Sequence, residues 1–403
     1  MKYMMVLMLA VSLLLCGCDW VSDDGYYFVT PHTQQTLPAE DMEVNASTYS
    51  ELYQALTNMV REGVENRIVY VADYNFTLLE EDAARVVDEV LKTDPVAAYA
   101  VEEMKLEQGT NGGREALAVK IRYRHDRSQI KRIRTVQTMA EAQTMIAAEL
   151  DQCSTGIVLL VKEYAQADLA QVVEDYAAYS PQTVMEIPQT TVNIYPEEGV
   201  ERIVELKFSY QNSRDALRGM QIQVSPVFTS AVLYVSGDGT EYEKFTQLYS
   251  FLMERYDYQL ETSITPAYSL LRHGVGDYKA FANVYAAVCR AAGLECVTVS
   301  GTREGEPWIW NLICADGEYY HVDLLRSNDA GRFQCYSAAQ MAGYVWDYSA
   351  YPEAGPKYQP AQEPEPTQAP TDPTEPEETT VPDQTETLET EHLETEPTVA
   401  QTP

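Results

Sequence analysis

Histidine is scarce in this chain. Only five of the 403 residues are His, and no His or Cys pair stands at the spacing a metal ion requires, so neither metal nor cofactor is expected. Basic residues are scarce too, with 28 Lys and Arg against 62 Asp and Glu and a formal net charge of −34. That balance excludes nucleic acid as a partner, and it excludes electrostatic docking to anionic lipid or cell-wall polymers. Five of the seven cysteines lie beyond residue 18. An odd number without paired spacing excludes a disulfide framework and fits small buried hydrophobes. A bilayer-spanning run is missing as well, because the apolar stretch from Met4 to Leu15 is too short to cross.

What that stretch does fit is a signal h-region behind the positive Lys2. It runs into Leu15-Cys16-Gly17-Cys18, which resembles a bacterial lipobox: an aliphatic residue at −3, a small one at −1, then the acceptor. Cys16 fits worse because Leu15 would occupy its −1 position. Residues 1–17 are therefore expected to be removed. Cys18 is expected to carry the lipid, and the chain to be anchored outside the bacterial membrane through a linker over 18–45. At the other end, residues 359–403 contain 9 Pro, 11 Thr and 12 Asp or Glu, with no Lys, Arg or aromatic residue. A segment of this composition cannot bury enough surface to offset its ordering entropy, and disorder is expected there.

Between the ends, a repeat runs from about 46 to 212. VVDEVLKTDP begins at Val86 and VVEDYAAYSP at Val172; each follows a buried-strand pattern, from Ile68 and from Ile157. Each precedes a period-2 strand, Leu117-Val119-Ile121-Tyr123 in one copy and Val204-Leu206-Phe208-Tyr210 in the other. Two tandem α/β modules are expected, over 46–130 and 131–212, each built as helix, strand, helix and two strands. The basic run RYRHDRSQIKRIR crosses their junction. It places Arg122, Arg124, Arg127, Lys131, Arg132 and Arg134 against one acid, Asp126. It reads either as a solvated strand end that keeps an edge soluble or as an anion patch, with the acidic 359–403 segment as one candidate ligand.

The chemistry-bearing stretch is AYSLLRHGVGDYKAFANVYAAVCRAAGLECVTVSG from Ala267, followed by EPWIWNLICADGEYYHVDLL from Glu306. It resembles the transglutaminase-like superfamily, which is papain-like in fold. The resemblance covers about 240–352 and implies an α+β domain, expected here over 213–358. In the family a cysteine opens the helix, a His precedes an Ala-Trp-Asn-like triplet, and an Asp closes a Tyr-His-Val-Asp-like strand. Counting eleven residues on from Ala267 and fifteen back from Gly293 reaches the same position, Tyr278. The His position is Trp308, with Trp310 and Asn311 kept beside it, and only Asp323 survives. The upstream His-Asp pair is replaced by Tyr249 and Ser250.

A thiolate nucleophile needs a helix N-terminus and a paired His. Tyr278 has an ordinary pKa near 10, and an indole N–H can only donate. On these grounds Asp323 is left with nothing to orient, and the two aromatics are expected to fill the acyl cleft. Cys289 lies roughly 16 Å down the helix from Tyr278 and Cys314 roughly 20 Å along the strand from Trp308; neither they nor Cys296 can stand in. His321 reads as structural and His273 as an ordinary loop residue.

Three functions remain open. The first is a pseudoenzyme whose cleft, lined by Tyr278, Trp308, Trp310 and Asn311, binds a peptide, peptidoglycan or surface-protein partner. The second is a cysteine peptidase, amidase or transamidase with displaced chemistry. The third is a structural surface protein acting through its modules.

Overall fold

The computed structural model describes residues 43–259 and 266–355. Cys18, the expected lipid acceptor, and the 359–403 segment lie outside them.

The first module begins with a two-residue strand, β1 (Val44–Asn45), followed by a helix over Tyr49–Glu62. Thr48 caps that helix, and Gly63 at φ 66° ends it in the left-handed region. Its buried stripe is Leu52, Leu56, Met59 and Val60, at the 3–4 spacing of one face. Then come β2 (Asn66–Tyr70), a helix over Phe76–Thr93, a short helix over Pro95–Ala100, β3 (Val101–Asn111) and β4 (Arg114–Tyr123). The sheet order is β1-β2-β4-β3. The second module repeats it: β5 (Arg134–Thr138), β6 (Gly156–Glu163), β7 (Gln189–Tyr195) and β8 (Arg202–Ser209), ordered β5-β6-β8-β7. In both, the first strand pairs in parallel with the second.

That opening strand is absent from the sequence reading. β1 is two residues long and lies ahead of the expected boundary at 46, while β5 begins inside the basic run. Neither offers enough alternation to register as a strand. The run Ile157–Val161 is apolar throughout because both its faces are covered. Ile157, Leu159 and Val161 face the second module's own core. Val158 and Leu160, with Ile203 of β8, pack on the core of the first module.

The C-terminal domain opens with a helix over Arg214–Tyr234 and a second over Glu241–Met253, the latter held by a Thr240/Glu243 capping box. A parallel bridge joins β9 (Asp257–Tyr258) to β10 (Val275–Gly276). The helix over Tyr278–Ala291 is the domain's centre, with Ala280, Phe281, Val284, Tyr285 and Val288 all buried. It lies on an antiparallel sheet of β11 (Cys296–Arg303), β12 (Glu306–Ala315), β13 (Glu318–Val322) and β14 (Tyr344–Trp346), ordered β13-β12-β11-β14. Asp316-Gly317 makes the hairpin turn between β12 and β13, with φ 54° and 83°, and Glu304-Gly305 makes the one between β11 and β12, with φ 54° and 88°. This is the α+β domain that the sequence implied.

Candidate functional site

Three elements converge on one carboxylate. The central helix begins at Tyr278, its N-cap Asp277 accepting from the Ala280 N–H at 2.8 Å. The approach is tight: a Cβ on Gly276 would come within 2.9 Å of the Ala280 Cβ, so only glycine lets the chain enter the helix there. The hairpin of β11 and β12 brings Trp308 opposite Gly301. A side chain at 301 would come within 2.9 Å of the Trp310 ring. From β13 the chain leaves through Asp323, which is 2% exposed.

Asp323 is not idle, and this corrects the expectation that it has nothing to orient. Its Oδ2 accepts the Trp308 indole N–H at 2.9 Å, the Tyr344 hydroxyl at 2.6 Å and Arg303 at 3.4 Å. Its Oδ1 accepts the Leu325 and Arg326 amides at 3.0 and 3.1 Å, capping the helix over Leu324–Asp329. The Tyr278 ring stacks on Trp308, centroids 4.3 Å apart and planes 12° from parallel. The Arg303 guanidinium lies 5.1 Å from the Trp308 ring, and the Lys279 ammonium 5.9 Å from that of Tyr278. The three positions counted from the sequence are thus in contact in order: helix N-terminus, strand, carboxylate.

The phenols at this site are held in their protonated form. Burial, and next the charge of Asp277, raise the Tyr278 phenol above its ordinary value, so it stays protonated near neutral pH. Burial and then Asp323 raise the Tyr344 phenol further, which keeps it a donor. For four of the five described cysteines, burial opposes an activated thiolate. Burial pushes Cys289 well above the usual thiol range and Cys335 up to about 12, and it raises Cys153 and Cys314 as well. Among the described residues no group of His, Cys, Asp and Glu could hold a metal ion.

Two residues expected to line the cleft do not. Trp310 is 1% exposed, with Tyr344 and Trp346 edge-on to its ring, and its Nε1 donates to His321 Nδ1 at 3.0 Å. Asn311 is wholly buried and donates to the Ala282 carbonyl at 2.9 Å, tying strand to central helix. The resemblance implies both as kept residues of the triplet beside Trp308 and hence as cleft-lining, but packing against Tyr344 and Trp346 and against the central helix closes them off. His321 is structural, as expected. Burial lowers its pKa to about 4, so near neutral pH the uncharged ring accepts from Trp310.

Sequence reasoning passed over Arg303, Tyr344 and Tyr258. Arg303 and Tyr344 reach Asp323 only because β14 pairs with β11 at Arg303↔Tyr344. Tyr258, 42% exposed, pairs with Gly276 two residues before Tyr278. None of the three belongs to a local motif.

The six cations of the basic run do not form one patch. Arg122 pairs with Glu102 and Glu103, and Arg124 donates to the Val101 carbonyl at 2.6 Å. Arg127 packs against Gly63 and lines the same cleft as Arg122 and Arg124. Lys131, Arg132 and Arg134 line a separate one, where Arg134 pairs with Glu149 at 2.8 Å.

Residues 230–354 match the model of the Transglutaminase-like superfamily. No curated protein matches the chain. Among solved structures, one titled a TGase is 11% identical at a TM-score of 0.24, over 42% of this chain and 50% of that one. The present chain therefore spans half the length of that structure. A Cytophaga hutchinsonii protein ascribed to the cysteine proteases is 13% identical at 0.24, over 39% of this chain and 70% of that one. A Parabacteroides distasonis protein ascribed to the proteases is 10% identical at 0.21, over 55% and 35%. At these scores none of the three bears on activity.

Proposed function

We propose, from the premise that residues 230–354 are a transglutaminase-like domain, that this chain is a pseudoenzyme that binds a peptide, peptidoglycan or surface-protein partner without cleaving it. The observation that carries the reading is the Tyr278–Trp308–Asp323 stack. Asp323 holds an indole where an enzyme would need an imidazole, and a phenol occupies the place of the thiol. An indole cannot take a proton from a nucleophile, and a protonated phenol is not one. The half-buried Tyr278 and Trp308, with the exposed Tyr258 beside them, supply the aromatic surface that recognition sites favour. Lipid anchoring at Cys18, which would place this surface outside the membrane, is part of the same proposal and rests on the Leu15-Cys16-Gly17-Cys18 sequence.

The first test is native thiol labelling of the chain from residue 19 with iodoacetamide, read by peptide mass from mildly acidic to mildly basic pH. Slow labelling of every cysteine, rising only toward the ordinary thiol pKa, is expected. One cysteine that labels fast at acidic pH would restore the enzyme reading. The binding half is tested by titrating peptidoglycan stem peptides while following tryptophan emission. A saturable change that vanishes in Tyr278→Ala and Trp308→Ala, with folding intact, is expected. An unaltered response in both variants moves the binding activity to the modules.

A further inference from the structure

The basic run leaves part of its charge unexplained by the C-terminal domain. Lys131, Arg132, Arg134 and Lys207 all line a cleft of about 550 Å³ between the two modules. In a chain of net charge −34, four cations around one hollow are out of keeping with the rest of the surface. Two carboxylates share the wall, and both are already engaged. Glu149, 8% exposed, takes Arg134 at 2.8 Å. Glu205, 4% exposed, takes Lys207 at 3.2 Å and the Asn193 amide at 3.0 Å. Lys131 and Arg132 make no ion pair among the described residues, and both are exposed. Gly156, at φ 152°, also lines the cleft, and a Cβ there would strike the Leu206 carbonyl, so the pairing of β6 with β8 requires glycine.

We infer that the inter-module cleft is a site for a multivalent anion carrying carboxylate or phosphate groups, with Lys131 and Arg132 as its primary ligands. Arg134 and Lys207, each held by a buried carboxylate, add positive field to the cleft without needing to move. The guanidinium fork of Arg132 suits a planar or tetrahedral oxyanion, and the Lys131 ammonium supplies a mobile point charge. Two sources carry this chemistry. One is a free anion. The other is the chain's own 359–403 segment, which brings 12 acidic residues and no Lys or Arg and is covalently attached. Either interaction weakens as salt shortens the Debye length below about 10 Å.

The test uses the full chain and inorganic pyrophosphate as probe, titrated calorimetrically at low and at near-physiological salt. A parallel sample is treated with a zero-length carbodiimide and the monomer band mapped by mass. Saturable pyrophosphate binding that falls at least about tenfold in Lys131→Ala/Arg132→Ala, and is unchanged in the remote Lys92→Ala, is the expected result. A cross-link from Lys131 to a carboxylate in 359–403 names the chain itself as resident anion, and it supports the site even where pyrophosphate is then excluded. Probe binding without that cross-link names a free anion. Binding that survives the double variant with circular dichroism unchanged overturns the site, as does the absence of both binding and cross-link at low salt.

Discussion

The Asp323 centre of the C-terminal domain and the cleft between the modules are both built on charge, but they hold it differently. In the first, one buried carboxylate, Asp323, gathers an indole, a phenol, a guanidinium and two backbone amides. In the second, Glu149 and Glu205 each hold one cation, and Lys131 and Arg132 face solvent. The difference teaches where each region is specified. A convergent buried centre is tied to folding, so its residues cannot be removed singly without stranding their partners. A cation lining a wet cleft is close to neutral for folding and acts through the field it presents.

Asp323→Ala should break the comparison most sharply. It strands the Trp308 N–H, the Tyr344 hydroxyl and Arg303 and uncaps a helix, so urea denaturation is expected to show a loss of about 3–5 kcal/mol. Asp323→Asn, which keeps an acceptor, should lose much less.

The pH dependence comes next. His321 has a depressed folded-state pKa, about 4 against 6.5 unfolded. The unfolded chain therefore binds the extra proton between those values. Its contribution is present above about pH 6.5 and lost as pH falls toward 4, by on the order of 3 kcal/mol in full. Comparing urea midpoints with His321→Gln, which still offers Trp310 an acceptor, isolates this term from the carboxylates; an identical pH slope in both proteins would contradict it.

Trp308→Ala removes one donor to Asp323 and the ring under Tyr278, at a cost of about 2 kcal/mol. It should also shift the tryptophan emission. The Tyr278→Cys/Trp308→His double variant sharpens the same point. An imidazole at 308 would meet the same carboxylate, and the introduced thiol should label with iodoacetamide far faster at pH 6 than any native cysteine. A slow introduced thiol would mean that Asp323 does not address that position. The smallest effect is expected in the other cleft, where Lys131→Ala/Arg132→Ala should leave the unfolding midpoint within about 0.5 kcal/mol of the parent.

The site was partly legible beforehand. Tyr278, Trp308 and Asp323 could be counted out because the resemblance to the transglutaminase-like superfamily implies their spacing, and the structure brings those three into contact. Trp310 and Asn311 were misjudged because strand neighbours share a sequence context but not a solvent boundary. Arg303 and Tyr344 were missed because their meeting depends on the β11–β14 pairing, which joins segments some forty residues apart.

Sequence alone determined the repeat between 46 and 212 and, through its resemblance to the transglutaminase-like superfamily, the α+β scaffold and the positions of Tyr278, Trp308 and Asp323. Each of these is a matter of period, spacing or local motif. Only the tertiary structure decided that Asp323 is fully engaged, that the basic run divides between two clefts and that the central cysteines are sealed. Hydrogen bonding and burial depend on which distant segments meet, and no local window of the chain carries that information.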